Sequence, residues 1–171
     1  MRIIVAIDII GGKCVRLTRG DFSTKKIYNE DPLEVAMEIE DNGLRYLHLV
    51  DLDGTREKKI VNYRILEKIS SKTTLTIDFG GGIRSDDDIR AAFNSGAAQV
   101  TAGSIAVNDP ELFKRWLSAY GNDRIILGAD CRNRKISISG WTESAGEDVK
   151  DFISRHSEMG VKYTVCTEVE K

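Results

Sequence analysis

The amino-acid sequence predicts an α/β fold on a parallel sheet, and more narrowly the first six strands and five helices of a (βα)8 barrel with a two-fold internal repeat. Three observations carry this. Apolar, β-rich runs alternate with helix-like segments along the 171 residues. A strand–Asp–turn pattern near the start returns in the second half of the chain. Glycine-rich turns follow two of the predicted strands.

The predicted strands are 3–7, 46–50, 73–79, 99–102, 124–129 and 162–167. Most are continuously apolar rather than alternating, as suits parallel strands covered on both faces. The helices between them have legible ends. Asp31 is an N-cap, Pro32 fits the first helical position, Glu34 completes a capping-box-like pattern and Gly43 stops the helix. A second helix, about 62–71, has weaker caps. Ser85 opens a third, with Asp86, Asp87 and Asp88 complementing the macrodipole in its first turn, and Gly96 ends it. Asp109-Pro110-Glu111 opens a fourth that Gly121 closes, and a fifth is expected from about Gly146 to Gly160.

Strict βα alternation admits an open doubly wound sheet or a barrel. The repeat distinguishes them. Asp130 lies 122 positions after Asp8, and Lys135 122 after Lys13, each pair within a strand, an Asp at its carboxyl end, a turn and a short β-like extension. Gly43-Leu44-Arg45-Tyr46 likewise matches Gly160-Val161-Lys162-Tyr163. Units one and two therefore recur as units five and six, so the repeating block is four units and two blocks make eight strands. Eight such units need about 240 residues. Residues 1–171 are thus expected to be a single domain, the N-terminal two-thirds of a barrel.

Composition bounds the function. With 41% apolar and 30% charged residues the chain is globular rather than disordered. A net charge of -2 gives no basic excess for nucleic acid or anionic lipid, and no apolar run reaches membrane-spanning length. Cys14, Cys131 and Cys166 match no metal or redox spacing, and the sequence predicts reduced thiols in a cytoplasmic protein. No metal site is expected.

Asp8 and Asp130 are the leading catalytic candidates. Each follows an apolar strand, and in a closed barrel strands one and five face each other across the carboxyl-end mouth, as paired acid and base require. Gly80-Gly81-Gly82-Ile83-Arg84 and Ala102-Gly103-Ser104 follow neighbouring strands, and together are expected to form one phosphate site. Thr167, at the end of the sixth strand, reads either as a hydrogen-bond group for a reacting oxygen or as a satisfied local hydroxyl. Arg19, in the first loop, reads as a contact for an anion or, more commonly for such residues, a solvated loop charge, and Trp141, in the fifth, as a surface for stacking on a planar ring or a pin for the loop. His48, inside the second strand, reads as packed or pointing into the barrel, and His156, on a polar helix, as solvated.

Taken in order, these motifs resemble a known family. Ala6-Ile7-Asp8-Ile9-Ile10-Gly11-Gly12-Lys13-Cys14-Val15-Arg16-Leu17, Arg19-Gly20-Asp21, His48-Leu49-Val50-Asp51-Leu52-Asp53-Gly54, Gly80-Gly81-Gly82-Ile83-Arg84, Gly103-Ser104, Gly128-Ala129-Asp130, Gly140-Trp141 and Thr167-Glu168-Val169-Glu170-Lys171 are similar to the phosphoribosylformimino-5-aminoimidazole carboxamide ribotide isomerases of histidine biosynthesis. The resemblance implies a TIM-type barrel and a cofactor-free Amadori rearrangement of an aminoaldose to its ketose. Asp8 would be the general base, Asp130 the general acid that opens the furanose, and Thr167 an assisting hydrogen-bond group. Gly81, Gly82, Arg84, Gly103 and Ser104 would hold one phosphate of a bis-phosphorylated small-molecule substrate, with Arg19 and Trp141 as further contacts. The full-length form would be a monomer. Family members continue past Lys171 with an Asp-Gly pair and two further strands. A cyclase-type relative acting on imidazole glycerol phosphate synthesis, and an inactive phosphate-binding fragment, are the alternative readings.

Overall fold

The computed structural model describes residues 3–141 and 143–169. They fall into two compact units, Met1–Val100 and Thr101–Lys171.

In the first unit the elements run β1 (Val5–Ile10), β2 (Lys13–Thr18), β3 (Asp21–Asn29), α1 (Pro32–Asp41), β4 (Tyr46–Asp51), α2 (Leu52–Glu57), α3 (Tyr63–Lys72), β5 (Thr76–Gly80) and α4 (Asp86–Asn94), and β6 (Gln99–Ala102) crosses into the second unit. Neighbouring strands follow the order β6-β5-β4-β1-β2-β3. β1, β4 and β5 are parallel, with Ile7 opposite Leu49 and Leu49 opposite Phe79. Ile7, Ile9, Leu47, Leu49, Ile77 and Phe79 share one face by alternation and are completely buried. Ala36 of α1, Leu66 and Ile69 of α3, and Ile89 and Ala92 of α4 are buried too, at the spacing of helices with one apolar face.

The helix signals are read locally and recur in the structure. Asp31 accepts the Leu33 N–H at 2.9 Å ahead of Pro32. Ser85 accepts the Asp88 N–H at 3.2 Å. The β2–β3 hairpin was not expected. Arg19 and Gly20 turn it with φ of 52° and 71°, the left-handed pair of a tight hairpin. Phe22-Ser23-Thr24-Lys25-Lys26 has no apolar rhythm to announce a strand, and pairing with β2 supplies its order instead.

The second unit continues with α5 (Ser104–Asn108), α6 (Pro110–Tyr120), β7 (Ile125–Gly128), β8 (Cys131–Arg132), β9 (Lys135–Ile138), β10 (Glu143–Asp148), α7 (Val149–Glu158) and β11 (Tyr163–Val165). β11, β7 and β6 are neighbours in that order, β11 parallel to β7, while β8, β9 and β10 form a small antiparallel sheet. Ile125 and Leu127 of β7 and Phe113 of α6 are completely buried.

In the first unit the parallel strands β1, β4 and β5 neighbour one another in chain order, and in the second β7 and β11 do. A doubly wound sheet reverses that order at its switch point. The topology is therefore the α/β class expected, with consecutive βα units of the kind that make a (βα)8 barrel.

Two expectations are corrected. Gly146 does not open a helix: it lies in β10, and α7 begins at Val149 with Asp148 as its cap, accepting the Lys150 N–H at 3.0 Å. His156 is not solvated. It is completely buried, its Nδ1 2.8 Å from the Phe152 carbonyl and its ring edge-on to Phe113 at 5.5 Å. Burial holds its pKa below the ordinary histidine value. The polar residues on α7 concealed that its inward positions are Phe152 and His156. Strand ends also shift by up to three residues: β1 starts at Val5, β5 at Thr76, and β11 spans only Tyr163–Val165.

Candidate active site

Within the first unit, the sheet has a second face opposite the apolar one. Parallel register puts Ala6, His48 and Asp78 side by side on it, and Asp8, Val50 and Gly80 two residues further on. Asp8 is therefore flanked by Val50 of β4 and Val15 of β2, and is half-buried. His48 and Asp78 are linked by a 2.6 Å Nδ1···Oδ2 hydrogen bond. Arg19 stands at the hairpin tip. β2 runs back from the carboxyl end of β1, Lys13 opposite Ile10 and Val15 opposite Asp8, so strand pairing does not bring Arg19 beside Asp8.

The loop after β4 is built around Asp51, whose side chain is completely buried. Its Oδ1 accepts from the Gly54 N–H at 2.8 Å and Asn62 Nδ2 at 2.7 Å, and its Oδ2 from the Val61 N–H at 2.8 Å and the Asn62 N–H at 2.7 Å. A buried carboxylate needs that many donors. Asp53 extends the network, accepting from the Gly11 N–H at 2.6 Å and tying the end of β1 to that of β4. No sequence motif marks Asp51 as the center of the loop, because its donors lie three to eleven residues later.

Gly81 and Gly82 rest on this scaffold. Their φ values are +97° and +77°, and a Cβ on Gly81 would run into the Asp51 carbonyl, one on Gly82 into that of Lys59. Glycine is thus required here by backbone packing as well as by any anion that approaches the loop. Arg84 follows, half-buried, its N–H 3.2 Å from Asp88 Oδ2. Asp88 is more than a complement to the helix dipole: it also accepts from the Ile60 N–H at 3.1 Å and the Ser85 hydroxyl at 2.7 Å, joining both loops.

In the second unit Asp130 and Thr167 come together. The register Tyr163–Ile126, Val165–Gly128 and Cys131–Glu168 is a constant offset of 37, which sets Thr167 opposite Asp130. The Cys131 N–H donates to the Thr167 carbonyl at 2.8 Å, fixing that alignment. Residues directly opposite on adjacent strands have Cβ atoms about 5 Å apart. Trp141 joins them, its Nε1–H donating to Asp130 Oδ2 at 2.9 Å. Ser139, Gly140 and Trp141 all have positive φ, 55°, 67° and 66°, so this loop is held in a costly conformation. It is anchored at Ser104 as well, whose hydroxyl accepts the Ser139 N–H at 3.1 Å. Gly103 precedes Ser104 and lies against Gly128: a Cβ on Gly128 would stand 3.0 Å from the Gly103 Cα. Trp141 is therefore a hydrogen-bond donor to a carboxylate as well as a flat surface.

Burial pushes the Cys14 thiol above its ordinary value, and pushes that of Cys131 up to about 11 with help from the neighbouring Cys166 and Glu168. Among the described residues no group of three or more His, Cys, Asp or Glu is placed to hold a metal ion, and no helix is long and apolar enough to cross a membrane. Glu170 and Lys171, which end the last motif, lie outside the described residues.

Comparison with known proteins gives the geometry a context. The family model described as "Histidine biosynthesis protein" matches residues 2–171. A protein from Flavobacterium psychrophilum named 1-(5-phosphoribosyl)-5-((5-phosphoribosylamino)methylideneamino) imidazole-4-carboxamide isomerase is 58% identical over 171 residues, all of this chain and 71% of the relative. Proteins of the same name from Flavobacterium johnsoniae and Parabacteroides distasonis are 58% and 55% identical, also over all of this chain and 71% and 72% of their own lengths.

Proposed function

The chain belongs to the histidine biosynthesis protein family, and on that premise we propose that it is the isomerase its relatives are named for, converting a phosphoribosylamino-imidazole carboxamide aminoaldose to the corresponding ketose by an Amadori rearrangement. The observation that carries the reading is the carboxylate–hydroxyl pair of Asp130 and Thr167 at a strand end, together with Asp8 at the equivalent place in the repeat.

The chemistry divides into proton transfers that these groups can perform. Asp130 gives a proton to the furanose ring oxygen as the C1′–O bond breaks, and the nitrogen lone pair moves in to leave a protonated imine, an iminium ion, at C1′. Asp8 removes the proton at C2′, and the electron pair moves through C1′ to the nitrogen, giving an enaminol. Reprotonation at C1′, with loss of the enol proton, yields the ketone at C2′. No electrons leave the substrate, so neither oxidant nor cofactor is called for. The Trp141 indole N–H holds the Asp130 carboxylate in one orientation, and Thr167 assists at the reacting oxygen.

The names of the relatives contain two phosphoribosyl groups, which supports a bis-phosphorylated substrate for this chain. Gly81, Gly82 and Arg84, and Gly103 and Ser104, are the groups proposed to hold one phosphate, with Arg19 as a further contact. The protein is further proposed to act as a cytoplasmic monomer in its full-length form, as one barrel domain to which residues 1–171 contribute the first two-thirds, on a small molecule rather than on nucleic acid or membrane.

The test is direct. The full-length native chain is incubated with the aminoaldose and followed by 13C NMR. The anomeric C1′ signal should be replaced by that of a methylene carbon while C2′ becomes a ketone. An unchanged spectrum at enzyme levels where the Flavobacterium relative completes the reaction overturns the proposal.

A further inference from the structure

Glu168, next to Thr167 in the chain, has no part in the roles assigned above. It is half-buried and stands opposite Cys131 in the parallel register. The Cys131 N–H donates to the Thr167 carbonyl at 2.8 Å and the Cys131 carbonyl accepts the Val169 N–H at 3.0 Å, so backbone bonds bracket Glu168 on both sides. Side chains alternate along a strand, and Glu168 therefore shares a side with Cys131, as Thr167 does with Asp130. The Cys131 thiol lies 3.6 Å from Glu168 Oε2, in keeping with that alternation.

From there the carboxylate reaches the turn between β8 and β9. Arg132 pairs with Lys135, which leaves Asn133 and Arg134 as a two-residue loop, both left-handed with φ of 51° and 65°. A turn of this kind bonds its first carbonyl to its last N–H and leaves the two central N–H groups without a partner inside the turn. Glu168 takes both: the Asn133 N–H donates to Oε1 at 3.2 Å and the Arg134 N–H to Oε2 at 3.5 Å. Two successive backbone N–H groups facing one carboxylate make a small anion nest, filled here by the protein's own side chain. Asparagine tolerates a left-handed φ, whereas arginine does so rarely. Arg134 is held there at two further points: its guanidinium meets Asp148, and its carbonyl accepts the Val149 N–H at 2.9 Å.

The hairpin leads directly to the catalytic carboxylate. The Ser137 N–H of β9 donates to the Asp130 carbonyl at 2.8 Å. β9 then runs into Ser139-Gly140-Trp141, whose indole N–H holds Asp130 Oδ2 at 2.9 Å. Glu168 thus ties the strand that carries Thr167 to the hairpin that orients Asp130.

We propose that Glu168 is a positioning residue, whose carboxylate clasps the turn amides of Asn133 and Arg134 and thereby keeps Trp141 and the Asp130 carboxylate aligned with Thr167. The inference rests on the isomerase reading and adds a residue that acts through Asp130 without touching the substrate. Asp130 works in the chemical step, so loss of the clasp lowers kcat and kcat/KM together and leaves KM nearly unchanged.

The experiment uses the full-length native chain and two readouts. In 1H–15N spectra, Glu168→Ala should shift the Trp141 indole N–H resonance away from its carboxylate-bonded position, while that of Trp116, buried in α6, stays in place. Kinetically, Glu168→Ala should lower kcat about 10- to 100-fold with KM within about threefold, the cost of a misplaced catalytic group. Glu168→Gln, which keeps the volume and one acceptor oxygen, should fall between that variant and the wild type. An unmoved Trp141 resonance or a wild-type kcat in Glu168→Ala overturns the proposal. So does a Trp116 resonance that shifts as well, since the effect is then general rather than confined to the hairpin. Amide exchange in the wild type stands even if both variants misfold: the Asn133 and Arg134 N–H groups should exchange well below free-peptide rates, and free-peptide rates there overturn the proposal. Absence of turnover by the wild type would refute the isomerase reading itself, whereas turnover with an unmoved Trp141 would refute this inference alone.

Discussion

Replacing Asp51 by Asn should cost a large part of the stability of the chain. The side chain is completely buried and accepts four hydrogen bonds, three from backbone N–H groups and one from Asn62 Nδ2. An amide has a single acceptor oxygen. Whichever way it is turned, two of the four donors face an NH2 group and lose their acceptor. Hydrogen bonds to charged groups contribute about 1.5–3 kcal/mol each, so the loss is about 3–6 kcal/mol. A domain has about 5–15 kcal/mol in total. With a urea slope of about 2 kcal/mol/M, the unfolding midpoint should fall by about 1.5–3 M. The assay is urea unfolding of wild type and Asp51→Asn by circular dichroism. A midpoint lowered by less than about 0.3 M would refute the reasoning, and with it the view that Asp51 organises the loop beneath Gly81 and Gly82.

Gly81→Ala should destabilise by about 2–4 kcal/mol, because overpacking against the Asp51 carbonyl adds to a left-handed φ of +97°; thermal unfolding measures it, and a neutral result would contradict the packing described. The lowered pKa of His156 means that the unfolded chain binds the proton more readily, so its contribution is intact above about pH 6.5 and is lost as pH falls toward the depressed folded value. His156→Phe should reduce the fall in urea midpoint between pH 7 and 5, and an unchanged fall would assign it to other groups. Limited alkylation at pH 8 followed by peptide mass spectrometry should label exposed Cys166 ahead of Cys14 and Cys131, whose buried thiols have raised pKa values. Earlier labelling of Cys131 would show that its strand pairing with Glu168 opens in solution.

Much of this organisation is written locally. Asp31-Pro32, Ser85 and Asp109-Pro110 announce helices because capping is settled within four residues, and Asp109 accepts the Leu112 N–H at 2.9 Å as its pattern suggests. The 122-residue offset between Asp8 and Asp130 recurs in the hairpin that follows each, Ile9 opposite Cys14 and Cys131 opposite Ile136, although Asp8 lies inside β1 rather than at its end. What escaped sequence reasoning depends on partners distant in the chain. β3 is polar and exposed, and is a strand only because β2 pairs with it. The short helices α2 and α5 were not expected, and α5 follows a strand end where Gly103 suggested a phosphate-binding turn. Asp51 looked like one acidic residue among several in Asp51-Leu52-Asp53, and the donors that make it structural come from as far as Asn62. His48 reads from the sequence as packed or pointing into the barrel, and the Asp78 it bonds is thirty residues away on the next strand.

The central claim is that Asp8 takes the substrate proton at C2′. Its most direct test is the turnover of Asp8→Asn in the full-length chain, run in D2O so that the ketose product records deuterium delivered to C1′. Wild type should give one deuterium at C1′ per turnover, and Asp8→Asn should lower kcat by about 10²–10⁴-fold with KM little changed. A variant that turns over and incorporates deuterium at the wild-type rate would contradict the account.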